Sequence, residues 1–261
     1  MTSYSSPRPA VLVTGGATRI GAALSRGFAR DGWHVVIHYR NSGEAAEALA
    51  VSLPSAETIA CDLRDEDSSV AMIESLAQRL PDWRCLINSA SVFRYDDAQQ
   101  ISADIGREAF VVNALTPARM IAAFLAQTQT KALRTAIQIT DMKLANPNPD
   151  FFSYTLSKYA AGALPDLFAQ AHDSDTRIYG LAPGAVLASH DQAEVETEIS
   201  HRLNLLERRT MPDEIVDAAL FLASGNLRSG AHLFVDSGQH LLSQDRDVIW
   251  LARDIEGGPM Q

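Results

Sequence analysis

The chain alternates short apolar runs with longer stretches in which apolar residues recur every three or four positions. The first run, "AVLVT", stops at Gly15 and Gly16, and a helical pattern follows it. Later runs share this β-rich composition and the flanking turns. They predict strands at 10–14, 33–39, 56–61, 84–90, 133–140, 176–182 and 231–236. Strands separated in this way by helical patterns are typical of an α/β protein.

Helical patterns fill the intervals, with acids in the first turn of 65–80 and Pro212 at a helix start. Pro117 lies inside the helical stretch 107–127 and removes a backbone donor, so we expect a kink or break there. Strands joined by helices pair in parallel through right-handed crossovers. The prediction is a single doubly wound Rossmann-type domain over 10–240, with a seven-stranded parallel sheet and helices on both faces.

The two ends lie outside this predicted domain. Residues 1–9 are polar and rich in serine and proline, and we expect a flexible N-terminus. The tail 241–261 contains Val248, Ile249 and Leu251, which we expect to contact a neighbouring subunit. The tail is therefore predicted to be an oligomer contact.

Composition and charge exclude several classes of function. With 46% hydrophobic and 21% charged residues, the 261-residue chain is typical of a globular protein. Its net charge of −10 does not provide the basic surface that nucleic-acid binding requires. The sequence shows neither a secretory signal nor an apolar run near membrane-span length, so we expect a cytoplasmic protein without membrane or nucleic-acid partners. Two isolated cysteines and scattered histidines predict no disulfide framework and no metal site.

A glycine turn, "TGGATRIG", follows the first predicted strand. Gly15, Gly16 and Gly21 allow a tight turn into a helix, whose N-terminal N–H groups suit a pyrophosphate. Such a turn also occurs as a simple connection between a strand and a helix, so it does not identify a nucleotide site by itself. Arg19 stands where such loops usually place a glycine.

The residues after the second strand favour NADPH over NADH. NAD sites often place an acid there for the ribose 2′-hydroxyl, whereas a 2′-phosphate needs cations and hydroxyls. The corner reads "HYRNSGE", so Arg40, Asn41 and Ser42 precede the first carboxylate, Glu44. The alternative is a solvated polar loop. After the third strand, Asp62 is placed to accept a hydrogen bond from an adenine amino group.

Tyr154 and Lys158 are four residues apart in "YTLSK", on one helical face. A neighbouring ammonium favours the phenolate, so we expect a lowered tyrosine pKa and a residue that exchanges protons near neutral pH. Asn113 lies inside a predicted helix, where an asparagine is unfavourable unless its side chain makes a hydrogen bond.

Together these motifs resemble the short-chain dehydrogenase/reductase family. The resemblance covers residues 10–240 and includes "TGGATRIG", "CDL", "NSAS", "VNALTP", "YTLSK" and "LAPG" in order. It implies that Tyr154 is the catalytic acid, that Lys158 holds the nicotinamide ribose, and that Asn113 assists a proton relay. It also implies a mobile substrate lid at about 188–208 and a homotetramer.

Two departures from the common family pattern, Arg19 and Asp141, are similar to the pteridine reductase and dihydromonapterin reductase branch. Asp141 lies thirteen residues before Tyr154, where most members have a serine. The resemblance implies that Arg19 contacts the diphosphate and the pterin, and that Phe93 stacks on the pterin, unless it is core packing. Ser91 would contact substrate or cofactor.

The predicted site is therefore that of an NADPH-dependent reductase acting on the C=N bond of a dihydropterin such as dihydromonapterin or dihydrobiopterin, with dihydrofolate as a further candidate substrate. Its catalytic residues are Asp141, Tyr154, Lys158 and Asn113, and its substrate-binding residues are Arg19, Ser91, Phe93, Asp141 and Tyr154. The predicted cofactor-binding residues are Thr14, Gly15, Arg19, Ile20, Gly21, His38, Arg40, Asn41, Ser42, Asp62, Leu63, Asn88, Ser89, Ala90, Lys158, Pro183 and Gly184.

Two alternatives remain open at this stage. One is a carbonyl or 3-oxoacyl reductase, favoured if Thr140 rather than Asp141 occupies the serine position. The other is a regulator that binds NADP without turnover, and the complete set of Tyr154, Lys158 and Asn113 disfavours it.

Overall fold

A computed structural model describes residues 8–172, 175–188 and 192–257. Seven strands form one parallel sheet in the order β3-β2-β1-β4-β5-β6-β7. The order reverses between β1 and β4, which creates a crevice at the carboxyl ends of the strands. The strands are β1 Ala10–Val13, β2 His34–Tyr39, β3 Ala56–Ala60, β4 Trp83–Asn88, β5 Arg134–Ile139, β6 Thr176–Pro183 and β7 His232–Val235. The predicted doubly wound fold is confirmed.

Helices cover both faces of the sheet, and each face has its own apolar core. Because strand side chains alternate, Val11 and Val13 of β1 face one cluster, whereas Leu12 faces the other. Helices α1, α2 and α8 pack on the first face and α3, α5 and α6 on the second. The helices are α1 Arg19–Arg30, α2 Gly43–Ser52, α3 Glu66–Arg79, α4 Ala103–Phe110, α5 Thr116–Gln127, α6 Phe152–Ala171, α7 Glu194–Ser200, α8 Pro212–Ala223 and α9 Val248–Gly257.

The predicted interruption near Pro117 is a π-helical segment, Val111–Leu115, between α4 and α5. Proline has no N–H to donate, so the carbonyl of Asn113, four residues earlier, loses its ordinary partner. The Gln138 side-chain amide donates to that carbonyl at 3.5 Å. The wider turn places Asn113 in the buried interior beside α6, because π-helical bulges shift the side chains that follow them.

The continuous helical stretch Ala103–Gln127 passes a length and composition test for a membrane span, contrary to the expectation from the sequence. However, 56% of its apolar window is buried inside the protein. Met120, Ile121 and Phe124 belong to the core on the second face of the sheet. A core helix passes the same test, and here the apolar residues have partners within the fold.

The C-terminal tail forms α9 and packs on its own chain. Val248 and Ile249 are 6% and 7% exposed, and Ile249 clusters with Phe151 and Tyr154. Both side chains therefore pack within their own chain, and contact of the tail with a neighbouring subunit stays a prediction. The physical reason for this packing is a set of polar contacts just before α9, which hold the tail against the 141–151 segment. The oligomeric state stays a prediction.

Two other predictions fall partly on residues that are not described. Residues 1–7 of the predicted N-terminal segment lie outside the described ranges, as do residues 189–191 of the predicted lid. The rest of that lid contains α7, which packs against α9. The described part of the lid and the C-terminal tail therefore pack together as one unit.

Candidate active site

A cleft of about 1050 Å³ opens at the carboxyl ends of the strands, at the crevice between β1 and β4. Its volume is at the upper end for a small-molecule site, so it has room for a ligand larger than a single drug-sized molecule. Nineteen predicted residues line it: Gly15, Arg19, Ile20, Gly21, His38, Arg40, Asn41, Ser42, Asp62, Leu63, Ser89, Ala90, Ser91, Phe93, Asp141, Tyr154, Lys158, Pro183 and Gly184. Thr14, Asn88 and Asn113 lie behind the lining.

The glycine turn brings backbone against backbone at the floor of the cleft. Gly15 has φ +61°, and a Cβ there would lie 3.1 Å from the Cα of Ala90. A Cβ on Gly21 would lie 2.1 Å from the Gly15 carbonyl oxygen. Thr18 precedes α1 without making a side-chain capping bond. The first-turn N–H groups therefore keep the capacity to bind an anion at the cleft.

Arg19 adopts the left-handed conformation, with φ +52°, that a glycine would adopt without strain. Its guanidinium donates to the carbonyl oxygens of Ala188 at 2.8 Å and Leu187 at 3.3 Å. Ala188 is the first residue of the predicted lid, and Leu187 directly precedes it. Arg19 thus lines the cleft and holds the base of the lid, a contact that the sequence did not predict. Its contact with a diphosphate or pterin stays a prediction.

Thr14, His38 and Asn88 support the cofactor side of the cleft from within the protein. The Thr14 hydroxyl oxygen accepts hydrogen bonds from the backbone N–H groups of Ser89 at 2.9 Å and Ala90 at 3.0 Å. Asn88 is buried, and neither of its side-chain polar atoms has a partner among the described residues. The side chains of Thr14 and Asn88 are buried below the lining, and contact of these two residues with the cofactor stays a prediction.

His38 connects three strands at their carboxyl ends. Its Nδ1 accepts from the Gly15 N–H at 3.1 Å, so its Nε2 carries the proton and donates to the Cys61 carbonyl at 3.0 Å. Burial lowers the pKa of His38 to about 4. The ring is therefore neutral at pH 7 and adds no positive charge for a phosphate.

Arginines surround the predicted 2′-phosphate corner. Arg40 is partly exposed, and its nearest carboxylate is Glu108 at 3.9 Å. Glu108 also pairs with Arg94 at 3.1 Å and with Arg64 at 3.9 Å. Three arginines face two carboxylates, Glu108 and Asp62, so the corner keeps one positive charge in excess. Arg64 and Arg94 were missed by the sequence reasoning.

Asp62 does not have the free carboxylate that adenine recognition predicts. Arg64 donates to both of its oxygens, at 2.5 to 3.0 Å. This bidentate pair lowers the pKa of Asp62. The sequence contained a signal for this ion pair. In "DLR" an acid and an arginine lie two residues apart after a strand, and side chains at that spacing can pair. Asp62 therefore lines the cleft as a carboxylate whose negative charge is balanced by Arg64.

The reacting centre is a chain of three residues. The Tyr154 hydroxyl donates to Asp141 Oδ2 at 2.5 Å, and the Lys158 ammonium donates to the Ile139 carbonyl at 2.9 Å. The ammonium also lies 5.5 Å from the centroid of the Tyr154 ring. The predicted association of Asp141, Tyr154 and Lys158 therefore appears in the structure.

The pKa of Tyr154 is shifted opposite to the sequence expectation. Burial and the adjacent Asp141 carboxylate raise the pKa of Tyr154 well above its ordinary value. Burial also raises the pKa of Asp141 and lowers the pKa of Lys158 to about 8. Burial of the phenol is the largest cause of the opposite shift, and the carboxylate rather than the ammonium contacts the phenol oxygen. Tyr154 is thus a protonated donor at neutral pH.

Thr140 does not replace Asp141. Its hydroxyl donates to the Leu181 carbonyl at 3.2 Å, and its side chain is buried. Asp141 Oδ1 accepts the N–H of Lys143 at 2.9 Å, which leaves Oδ2 for Tyr154. The alignment in which Thr140 occupies the serine position is therefore contradicted.

Phe93 lies above Tyr154 at the mouth of the cleft. Its ring stacks on Phe151 at 4.2 Å and meets the Tyr154 ring edge-on at 4.7 Å. The side chain is 42% exposed, so it is not core packing. One face of the ring already has an aromatic partner. Stacking on a flat substrate stays a prediction, and the exposed Ser91 is in the same lining segment.

Asn113 organises the site without lining it. Its Oδ1 accepts the Val92 N–H at 2.7 Å, and its Nδ2 donates to the Val92 carbonyl at 3.0 Å and the Ser157 hydroxyl at 2.9 Å. The side chain is thus engaged with the loop before Phe93 and with α6. The part of Asn113 in a proton relay stays a prediction.

Several lining residues were missed because they come from distant parts of the chain. Lys143 and Asp247 form an ion pair at 2.9 Å, with side chains 4% and 9% exposed. His201 and Trp250 also line this cleft. The tail contains apolar residues in "DVIWLARDIEG" at helical spacing, which signalled a packed helix but not its location.

The sequence matches the family model described as enoyl-(acyl carrier protein) reductase over residues 15–240. Pteridine reductase 1 from Leishmania tarentolae is 28% identical, with 89% of this chain and 96% of the relative covered. The dihydromonapterin reductase of Citrobacter koseri is 24% identical, with 88% and 96% covered.

Two solved structures have the same fold. FolM alternative dihydrofolate reductase 1 from Brucella canis, in complex with NADP, has a TM-score of 0.85 and 28% identity, with 92% of this chain and 96% of that chain covered. The angucycline C-6 ketoreductase LanV, with bound NADP, has a TM-score of 0.81 at 23% identity, with 90% and 96% covered, a likeness that shows the fold alone. Given the fold, the Tyr154 and Lys158 pair and the family match, the chain belongs to the short-chain dehydrogenase/reductase family.

Proposed function

We propose that this protein is an NADPH-dependent reductase that transfers hydride to the C=N bond of a dihydropterin such as dihydromonapterin or dihydrobiopterin. The observation that carries the proposal is the hydrogen bond from the Tyr154 hydroxyl to Asp141 Oδ2. A pterin edge presents an amino group and ring N–H donors, for which a carboxylate is a better partner than a hydroxyl. The likeness to pteridine reductase 1 and to the dihydromonapterin reductase supports it.

The residues of the cleft fit a bound NADPH. The uncapped start of α1 and the close approach of Gly15 to Ala90 suit the diphosphate. Arg40 and Arg64, with one shared neighbouring glutamate, suit the 2′-phosphate. The NADP complex of the Brucella canis protein supports this assignment. Bound NADPH supplies the hydride for the reduction.

Tyr154 supplies the proton that the substrate nitrogen gains. Its raised pKa keeps the phenol protonated at neutral pH, and its hydroxyl is already held by Asp141 at 2.5 Å. The Lys158 ammonium lies over the phenol ring and offsets negative charge that develops there as the proton leaves. Asp141 orients the hydroxyl and accepts the donors of the pterin edge.

The proposal is tested by following NADPH oxidation with dihydromonapterin, dihydrobiopterin, dihydrofolate and an acetoacetyl thioester. We expect the two pterins to have the highest kcat/KM, and Tyr154→Phe to reduce it by about a hundredfold or more. The variant Tyr159→Phe is a matched control, because this exposed tyrosine lies on the same helix outside the cleft. Turnover of the thioester alone would identify a carbonyl reductase. Cofactor binding without turnover of any substrate would identify a regulator.

A further inference from the structure

A buried ion pair, Lys143 with Asp247, lies beside the reacting centre and takes no part in the proton transfer from Tyr154. The Lys143 ammonium is 2.9 Å from Asp247 Oδ2, and the two side chains are 4% and 9% exposed. Both residues line the cleft. A buried ion pair adds little stability beyond that of apolar residues of the same volume, because each charge loses its water. The pair therefore indicates a role for charge at this place.

The residue on which this charge acts is Asp141. The backbone N–H of Lys143 donates to Asp141 Oδ1 at 2.9 Å, while Asp141 Oδ2 holds the Tyr154 hydroxyl. Burial raises the pKa of Asp141, and the Lys143 ammonium is the largest influence that lowers it. Lys158 has a smaller effect, and its ammonium donates to the Ile139 carbonyl. Lys143 is thus the main cation that favours the charged form of Asp141.

The C-terminal tail fixes the position of the Lys143 ammonium. Asp247 and the Asn148 side-chain oxygen, at 2.7 Å, both accept from it. Asp247 is itself held, because its backbone N–H donates to Asp150 at 2.8 Å and its Oδ1 accepts the Ile249 N–H at 3.1 Å. These bonds leave Oδ2 for the lysine. The tail therefore supplies the contact that keeps the cation inside the cleft.

We propose that Lys143 is a positioning residue that keeps the Asp141 carboxylate ionised, with its ammonium held in place by Asp247 of the tail. An ionised Asp141 has acceptor sites for the Tyr154 hydroxyl and for substrate donors, whereas a protonated one loses part of this capacity. The consequence for turnover rests on the proposed function. The effect on Asp141 itself does not, because it is present without substrate.

The test is an NMR titration of the Asp141 carboxyl group in protein labelled at the aspartate side-chain carbon, without substrate. The Asp141 signal is identified by its loss in Asp141→Asn. We expect Lys143→Met to raise the measured pKa of Asp141 by about 0.5 to 1 pH unit. Asp247→Asn should lower it, because the ammonium then lacks its counter-charge. A structural role alone does not produce shifts of opposite sign.

Three further variants control the titration. Lys131→Met makes the same substitution at an exposed lysine outside the cleft and should leave the pKa of Asp141 unchanged. Lys143→Arg keeps the positive charge and should stay near the wild-type value. If Asp247→Asn does not fold, the double variant Lys143→Met with Asp247→Leu takes its place. Its Asp141 pKa should lie between those of the wild type and Lys143→Met.

The second readout is the pH profile of kcat/KM for dihydromonapterin. Its acid limb should move in each variant by the same amount as the titration of Asp141. An Asp141 pKa in Lys143→Met equal to that in Lys131→Met would overturn the inference, as would shifts of the same sign in Lys143→Met and Asp247→Asn. If the wild-type protein reduces no dihydropterin, the proposed function fails, and the titration alone decides the role of Lys143.

Discussion

Replacement of Asp247 by asparagine should destabilise the protein strongly. The Lys143 ammonium lies 2.9 Å from Asp247 and 2.7 Å from the Asn148 side-chain oxygen, in surroundings where the lysine side chain is 4% exposed. Asp247→Asn removes the counter-charge and leaves the ammonium buried. Breaking a buried ion pair from one side costs about 3–5 kcal/mol, far more than the loss of a surface pair.

The assay is urea unfolding at a fixed protein concentration, followed by fluorescence. With a slope of about 3 kcal/mol per molar urea, the expected loss lowers the midpoint by about 1–1.7 M. The matched control is Asp104→Asn, because Asp104 pairs with Arg107 at 3.1 Å in an exposed position. Its midpoint should move by less than about 0.3 M.

The double variant Lys143→Met with Asp247→Leu separates charge from packing. An apolar pair of similar volume removes both buried charges, so part of the loss should be recovered. A midpoint shift for Asp247→Asn no larger than that of Asp104→Asn would refute the reasoning. It would mean that water reaches the Lys143 ammonium and that the tail does not close this end of the cleft.

Further predictions concern charge at the cofactor side and the reacting centre. Because the pKa of His38 is about 4 in the folded protein and about 6.5 when unfolded, the unfolded state binds more protons between these values, and this residue alone should lower the unfolding free energy by about 2 kcal/mol from pH 7 to pH 5. His201 has a similarly lowered pKa, so the fall in His38→Asn should be smaller by about that amount without vanishing, and an equal fall in both proteins would contradict the prediction. The kcat/KM for dihydropterin should decline above about pH 8, as Lys158 loses its proton. Lys158→Arg should move this decline above about pH 10, because arginine stays protonated. A decline at the same pH in both proteins would exclude Lys158 as its source. Arg40→Ala should lower the NADPH-to-NADH ratio of kcat/KM by about tenfold or more, and an unchanged ratio would place the 2′-phosphate elsewhere. Arg19→Gly should raise the dihydropterin KM about tenfold, because the bonds from Arg19 to the start of the lid are lost. The melting temperature should not fall, because glycine adopts the φ of +52° without strain. A lower melting temperature would make Arg19 chiefly structural.

The strands and the glycine turn were predictable because their signals are local. A run such as "AVLVT" followed by glycines defines both the strand and the position of the cleft. The parallel order then brings the residues after each strand to one edge. For this reason Gly15, Arg40 and Asp62 could be assigned to one cleft from sequence alone, whereas the role of Tyr154, which lies inside α6, came from the family resemblance.

The direction of the Tyr154 pKa shift was not predictable in the same way. It depends on whether the phenol oxygen contacts Lys158 or Asp141, and the sequence places both at helical or loop positions nearby. The structure turns the ammonium toward the Ile139 carbonyl and the hydroxyl toward Asp141. Burial of the phenol raises its pKa, and the contact with Asp141 raises it further; neither the degree of burial nor this contact is visible in the sequence.

The packing of the tail was also hidden from sequence. Arg246 and Asp247 pair with Asp150 and Lys143, about a hundred residues earlier in the chain. A pattern of apolar residues identifies a helix that needs a partner surface, and both another subunit and the chain's own cleft meet this need. The polar contacts that choose between the two surfaces appear only when the distant segments are brought together.

The central claim is that Asp141, in place of a serine, makes this cleft a pterin reductase. The most direct test is the ratio of kcat/KM for dihydropterin to that for an acetoacetyl thioester, in the wild-type protein and in Asp141→Ser. We expect the wild-type ratio to favour the pterin and to fall by about a hundredfold or more in the variant, with Tyr154 and Lys158 unchanged. An unchanged ratio would contradict the account, because it would show that the carboxylate bonded to Tyr154 does not recognise the substrate.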